Sequence, residues 1–146
     1  MDYNKALCIF IHIGNCKIFD DIKKYLSRLV NINYDLYINV NCFNKNKSFN
    51  DNVVESLKLS YPKCTIFQFE NRGCDIGPFF LFLDHLRNNN IKYKWIMKLH
   101  TKTDKTLRTA MLNHLIPSNF VSYYQYLTSN NISIDGKFKY LYDYIN

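Results

Sequence analysis

The chain opens with an unbroken apolar run over residues 6–13 (ALCIFIHI) that stops at Gly14 and Asn15. A run this short, closed by a turn signal, predicts a strand buried on both faces. A helical spacing follows over 20–30, where Ile22, Tyr25, Leu26 and Leu29 share one face and Asp20 or Asp21 stands ready as N-cap. Residues 34–40 (YDLYINV) predict a second strand and 63–69 (KCTIFQF) a third. Between them, 41–50 is rich in Asn and Lys and reads as a mobile loop, while 51–60 reads as a helix stopped by Tyr61 and Pro62. A glycine-bearing turn over 71–78 leads into a helix over 79–88, dense in Phe and Leu, and then a fourth strand over 93–99 (YKWIMKL). Helical patterns cover 107–116 and 120–127, and an aromatic tail over 138–145 predicts a last short helix. Strands alternate with helices at a spacing of roughly 30 residues, which predicts right-handed βαβ units. The expected fold is α/β, a three-layer α/β/α sandwich with a mainly parallel sheet.

Composition narrows this picture. The chain has 146 residues, 47% of them hydrophobic and 16% aromatic. That suits a single domain over 1–146 with one core and excludes a disordered chain. Nineteen Lys and Arg stand against twelve Asp and Glu, a formal +7. A basic balance implies anionic partners without choosing among nucleic acid, membrane and phosphorylated metabolites. Five cysteines form no C-x-x-C pair, which argues against a zinc site of the usual spacing. Cys8, Cys42 and Cys64 lie in or beside apolar runs, as small core residues do. No run of about 18 apolar residues exists and the N-terminus lacks a signal-peptide pattern, so a cytoplasmic, reducing location is expected.

The candidate chemistry sits at strand ends. In an open parallel sheet, ligands bind beyond the carboxyl ends of the strands, at the topological switch point. The first strand ends in His12-Ile13-Gly14-Asn15, the third in Glu70-Asn71-Arg72-Gly73-Cys74-Asp75-Ile76-Gly77-Pro78, the fourth in Lys98-Leu99-His100-Thr101-Lys102-Thr103-Asp104. All three are expected to face one crevice. The segment after the third strand is neither a P-loop nor a dinucleotide fingerprint. Its Gly73 and Gly77 permit a turn and close backbone approach, and Pro78 suits a first helical position. Arg72 offers a bidentate donor, and Asp75 a hydroxyl acceptor or general base, with Asp104 as second choice. The competing reading is an ordinary strand–turn–helix corner. On an extended strand, Lys98, His100 and Lys102 share one face, where burial would demand anionic partners such as a pyrophosphate. A strand end emerging into solvent is the alternative there. His12 gains weight only from its place at the first strand's end, and His85 and His114 receive no role.

The run Asn71-Arg72-Gly73-x-Asp75-Ile76-Gly77-Pro78-Phe79, followed about 20 residues later by Lys98-Leu99-His100-Thr101-Lys102, resembles the rhamnan synthesis protein F family. The resemblance covers about residues 5–130. It implies a glycosyltransferase-like protein acting in rhamnose-containing cell-surface polysaccharides, with a nucleotide-sugar donor and a glycan acceptor. More distantly, N-x-G after the third strand is similar to the same place in GT-A type glycosyltransferases, which implies a GT-A-like or Rossmann-like core. Such enzymes usually hold a divalent metal through D-x-D at the end of the fourth strand. Here that place is Lys98-x-His100-x-Lys102, so cations would meet the diphosphate directly; the pattern implies metal-independent chemistry or a fold repurposed for binding, and commits to no cofactor. Cys74 stands where relatives commonly carry a basic residue. The resemblance thus implies Asp75 and His100 as catalytic residues. His12, Asn71, Arg72, Gly73, Gly77, Lys98, Thr101 and Lys102 would bind substrate. A second reading is a shortened, non-catalytic core that binds a glycan or partner protein. Its support is the little chain left for an acceptor site and the tyrosine-rich end (Tyr123, Tyr124, Tyr126, Tyr140, Tyr142, Tyr144). A nucleic-acid binder is disfavoured, because the lysines are dispersed and no binding motif is present.

Overall fold

A computed structural model describes residues 5–43, 45–70 and 72–129. Asn71 and the tail with its expected helix and three tyrosines lie outside them, as do the side chains of Tyr123 and Tyr126. The strands are β1 (Lys5–Ile13), β2 (Asp35–Val40), β3 (Thr65–Phe67) and β4 (Tyr93–His100). The helices are α1 (Phe19–Leu26), α2 (Lys47–Ser60), α3 (Ile76–Asn88), α4 (Lys105–Leu115) and α5 (Phe120–Ser129). The sheet order is β3-β2-β1-β4, and every pairing is parallel. This is the α/β class that the strand–helix alternation predicts.

The order explains the layers. From β1 the chain steps outward to β2 and β3, then crosses back over β1 to place β4 on its other side. Right-handed crossovers in opposite directions put their helices on opposite faces. One face carries Ile9, Ile11, Ile13, Ile38 and Leu99 against Ile22 and Leu26 of α1, Leu57 of α2 and Leu112 of α4. The other carries Cys8, Phe10 and Tyr37 against Phe82 and Leu86 of α3. Phe10 and Phe82 stack with ring centroids 4.7 Å apart, which anchors α3 to the central strand. The direction in which successive strands are added reverses at β1, which makes β1/β4 the switch point.

Several boundaries differ from those expected, each for a local reason. The helix α2 begins at Lys47, inside the stretch expected as loop, because Asn46 caps it by accepting from Phe49 N. Asp20 and Asp21 lie in the first turn of α1 rather than before it. A 3-10 turn at Cys16–Ile18, capped by Asn15, feeds the helix directly. The helix α3 begins at Ile76, so Pro78 is its third residue; a missing N–H is tolerated there because the first four are unpaired in any helix. Finally, β3 is only three residues long.

Candidate functional site

The switch point is stitched shut by backbone and one hydroxyl. The β1 end donates Gly14 N and Asn15 N to Thr101 Oγ1, both at 2.9 Å, while Thr101 N donates to His12 O at 3.1 Å. On the other side, Asn41 N donates to Ile13 O at 3.1 Å and Phe43 N to Gly14 O at 2.8 Å. These bonds tie the carboxyl ends of β2, β1 and β4 into one rigid rim. Thr101 is therefore a strut of the rim as well as part of its wall.

Beyond the rim opens a cleft of about 710 Å³. His12, Gly14, Gly73, Asp75, His100 and Thr101 line it, together with Lys17, Phe43 and Lys45. Residues from all three strand ends thus face one crevice. Below it, register alone sets the polar group: parallel pairing puts His12 of β1 beside Asn39 of β2 and His100 of β4, all on the α3 side of the sheet. The same alternation places Lys98 beside Phe10.

Asp75 is the hub. It stands at the N-cap of α3 but makes no cap bond. Its carboxylate instead accepts a hydrogen bond from Lys98 Nζ, and His100 Nδ1 approaches the same oxygen at 3.6 Å. The three side chains are each about a quarter exposed (25% for Lys98, 25% for Asp75, 24% for His100). Burial alone would raise the Asp75 carboxyl, but the Lys98 hydrogen bond and the His100 and Lys98 charges outweigh it and hold it below its ordinary value. Burial pushes the His12 and His100 imidazoles down; Asp75 opposes the shift, and nearby cationic groups add to it. At neutral pH the site therefore offers an ionised carboxylate beside two neutral imidazoles.

The glycines hold Asp75 in place. Gly73 has φ +76°, and Cys74 follows at φ +55°, so the chain reverses sharply between Arg72 and α3. A Cβ on Gly77 would fall 1.6 Å from the Arg72 carbonyl oxygen, so only glycine fits there. That turn also points Arg72 outward, where it is 89% exposed and pairs with Glu70 at 2.8 Å. Lys102 leaves the shared face as well. The strand ends at His100, Lys102 N turns back to His100 O at 3.0 Å, and the Lys102 side chain is exposed. Lys98 lies behind the wall rather than in it. Arg72, Gly77, Lys98 and Lys102 are not among the described residues that line the cleft. Asp104 caps α4 by accepting from Leu107 N at 2.8 Å.

Sequence reasoning missed four residues here. Lys17 and Lys45 bring cations to the cleft wall, and Phe43, 70% exposed, presents a ring at its mouth. Lys17 sits in the 3-10 turn after β1, and Phe43 and Lys45 sit in the loop after β2, where tertiary packing sets the course of the chain. Asn39, fully buried, did leave a signal: an amide inside an otherwise apolar strand must have partners. A D-x-D cation site has no counterpart, because Asp75 is the one acidic residue lining the cleft among those described and Lys98 already occupies it.

A switch-point cleft on a β3-β2-β1-β4 parallel sheet defines an α/β protein of Rossmann-like or GT-A-like architecture. The chain matches the family model described as rhamnan synthesis protein F over residues 1–132, and it belongs to that family. No curated protein and no solved structure matches it. No helix of the described residues is long and apolar enough to cross a membrane.

Proposed function

We propose that this protein transfers a sugar, rhamnose in the first instance, from a nucleotide-sugar to a glycan acceptor. The observation that carries the reading is the convergence of Asp75, Lys98, His100 and His12 under the cleft at the β1/β4 switch point. Family membership supports the polysaccharide setting. The diphosphate would meet Lys17 and Lys45 at the wall, and Phe43 offers a face on which a nucleobase can stack. Asp75, held ionised, accepts a hydrogen bond from a donor-sugar hydroxyl. His100, neutral at pH 7, takes the proton of the attacking acceptor hydroxyl. As the bond to the diphosphate breaks, the growing negative charge is stabilised by cations already in place, which is where electrostatic catalysis gains most. The test is turnover: the chain with a panel of nucleotide-sugars and a rhamnose-terminated acceptor, assayed for released nucleoside diphosphate. Release that His100→Ala abolishes supports transfer, and absence of release across the panel overturns it.

One observation favours a second reading, a binding module without turnover. Arg72 and Lys98 are already paired with Glu70 and Asp75, so the cationic face expected to grip a diphosphate is partly neutralised within the chain. Nucleotide-sugar binding without released diphosphate, in the same assay, is the outcome that selects it.

A further inference from the structure

A chain of three hydrogen-bonding groups runs from the β3 end into the cleft. Phe69 N donates to Asn39 Oδ1 at 2.8 Å. A backbone N–H can only donate, so the Asn39 amide is fixed with its oxygen toward Phe69 and its NH2 toward His12. Asn39 Nδ2 lies 2.9 Å from His12 Nδ1. An NH2 group can only donate, so Nδ1 of His12 must accept, and the proton of the neutral ring sits on Nε2. We infer that Asn39 is a positioning residue that locks His12 as the Nε2–H tautomer, a neutral hydrogen-bond donor aimed into the cleft and not a base.

Two further observations support the direction of that donor. His12 lines the cleft, and the position a Cβ on Gly14 would take is 3.4 Å from Nε2, so the nitrogen lies beside the glycine of the rim. Nε2 has no hydrogen-bond partner among the described residues, and it is not sealed from solvent as an orphaned buried atom would be. Protonating the ring would place a second N–H against the Asn39 NH2, donor against donor. The groups facing His12 are Asn39 from β2, Lys98 and His100 from β4, and Asp75 from the N-terminus of α3. Of these, Asp75 alone favours the imidazolium. The ligand chemistry such a donor takes is an acceptor oxygen, of a diphosphate or a sugar. That assignment rests on the transfer reading; the tautomer does not.

The experiment is long-range 1H–15N correlation NMR of the full chain, labelled at histidine nitrogen, at neutral pH. For His12 the pyridine-like 15N resonance should belong to Nδ1 and the protonated one to Nε2. In Asn39→Asp the carboxylate still accepts from Phe69 N but now also accepts from Nδ1–H, so the two assignments should exchange and the His12 titration should move to higher pH. Asn39→Ser, which keeps a polar side chain but no amide, should give a tautomer mixture. A wild-type His12 with its proton on Nδ1 overturns the inference whatever the variants do. An Asn39→Asp spectrum with unchanged tautomer overturns the role of Asn39. If Nε2–H is found but thymidine diphosphate and uridine diphosphate leave the His12 resonances unmoved, the transfer reading falls and the tautomer lock stands.

Discussion

Replacing Gly77 with alanine sets two forces against each other. Alanine is the better helix former, and in a helix interior the exchange gains up to about 1 kcal/mol. Gly77 is the second residue of α3, and on propensity alone Gly77→Ala should do no harm. The geometry says otherwise. The new Cβ would lie 1.6 Å from the Arg72 carbonyl oxygen, where real Cβ contacts are not found under 3.0 Å, so the backbone must open by roughly 1.4 Å. The obstructing atom is main chain in a tight turn, so no side chain can swing away. Overpacking of this kind costs about 1–3 kcal/mol, and a rigid carbonyl puts the cost at the top of that range. For a chain of this size that is a fall of roughly 5–10 °C in Tm. The turn also carries Asp75, so its opening should loosen the bond to Lys98. Thermal melting by circular dichroism reads the first effect, and a carboxyl 13C titration of Asp75 toward its ordinary value reads the second. Gly14→Ala is the control, since its Cβ meets nothing closer than 3.4 Å. A Gly77→Ala protein that melts at or above the wild-type temperature refutes the reasoning.

The other expectations test different parts of the structure. Phe82 is fully buried and stacks on Phe10, so Phe82→Ala should cost about 3–5 kcal/mol in urea unfolding. A cost below 1 kcal/mol would show that α3 is not anchored there. Arg108, 7% exposed, donates to Asp21 and to the Lys102 and Thr103 carbonyls, so Arg108→Ala should lose about 2 kcal/mol and free the loop after β4. Amide exchange at Lys102–Asp104 that stays slow would contradict it. The pH dependence has a fixed sign. Imidazoles lowered in the folded state contribute stability that is present above their unfolded value of 6.5 and lost as pH falls through the folded values. The lowered Asp75 carboxyl contributes above 3.8, and that part is lost at still lower pH. The urea midpoint should therefore fall from pH 7 to pH 5 and fall again below 4; a midpoint rising on acidification would contradict the burial of His12 and His100.

Much of the fold was legible because its signals are local. The apolar run ending at Gly14, the period of α1 and the strand-to-strand spacing each depend on a few neighbouring residues. They suffice to place a parallel sheet and to send ligands to its carboxyl edge. The same logic brought His12, Asp75 and His100 to one cleft. What it could not give were directions set by turns. Extrapolating the β4 alternation by two residues put Lys102 on the site face, but the backbone turns at His100. Arg72 looked like an anion donor, yet the left-handed pair Gly73 and Cys74 turns the chain away after it. Asn46 was one Asn among many in a polar stretch, and only its bond to Phe49 N distinguishes a cap from a loop. Lys17, Phe43 and Lys45 reach the cleft through long-range packing that no short window contains.

The most direct test of the central claim is calorimetric titration of the full chain with thymidine diphosphate and uridine diphosphate, with and without divalent cation. The account expects saturable one-site binding that does not require the cation. It expects a loss of roughly tenfold or more in Lys17→Ala plus Lys45→Ala, from the wall, and in His12→Gln, from the donor beneath it. No binding by the wild type, or binding undiminished in these variants, would contradict a diphosphate site at the β1/β4 switch point.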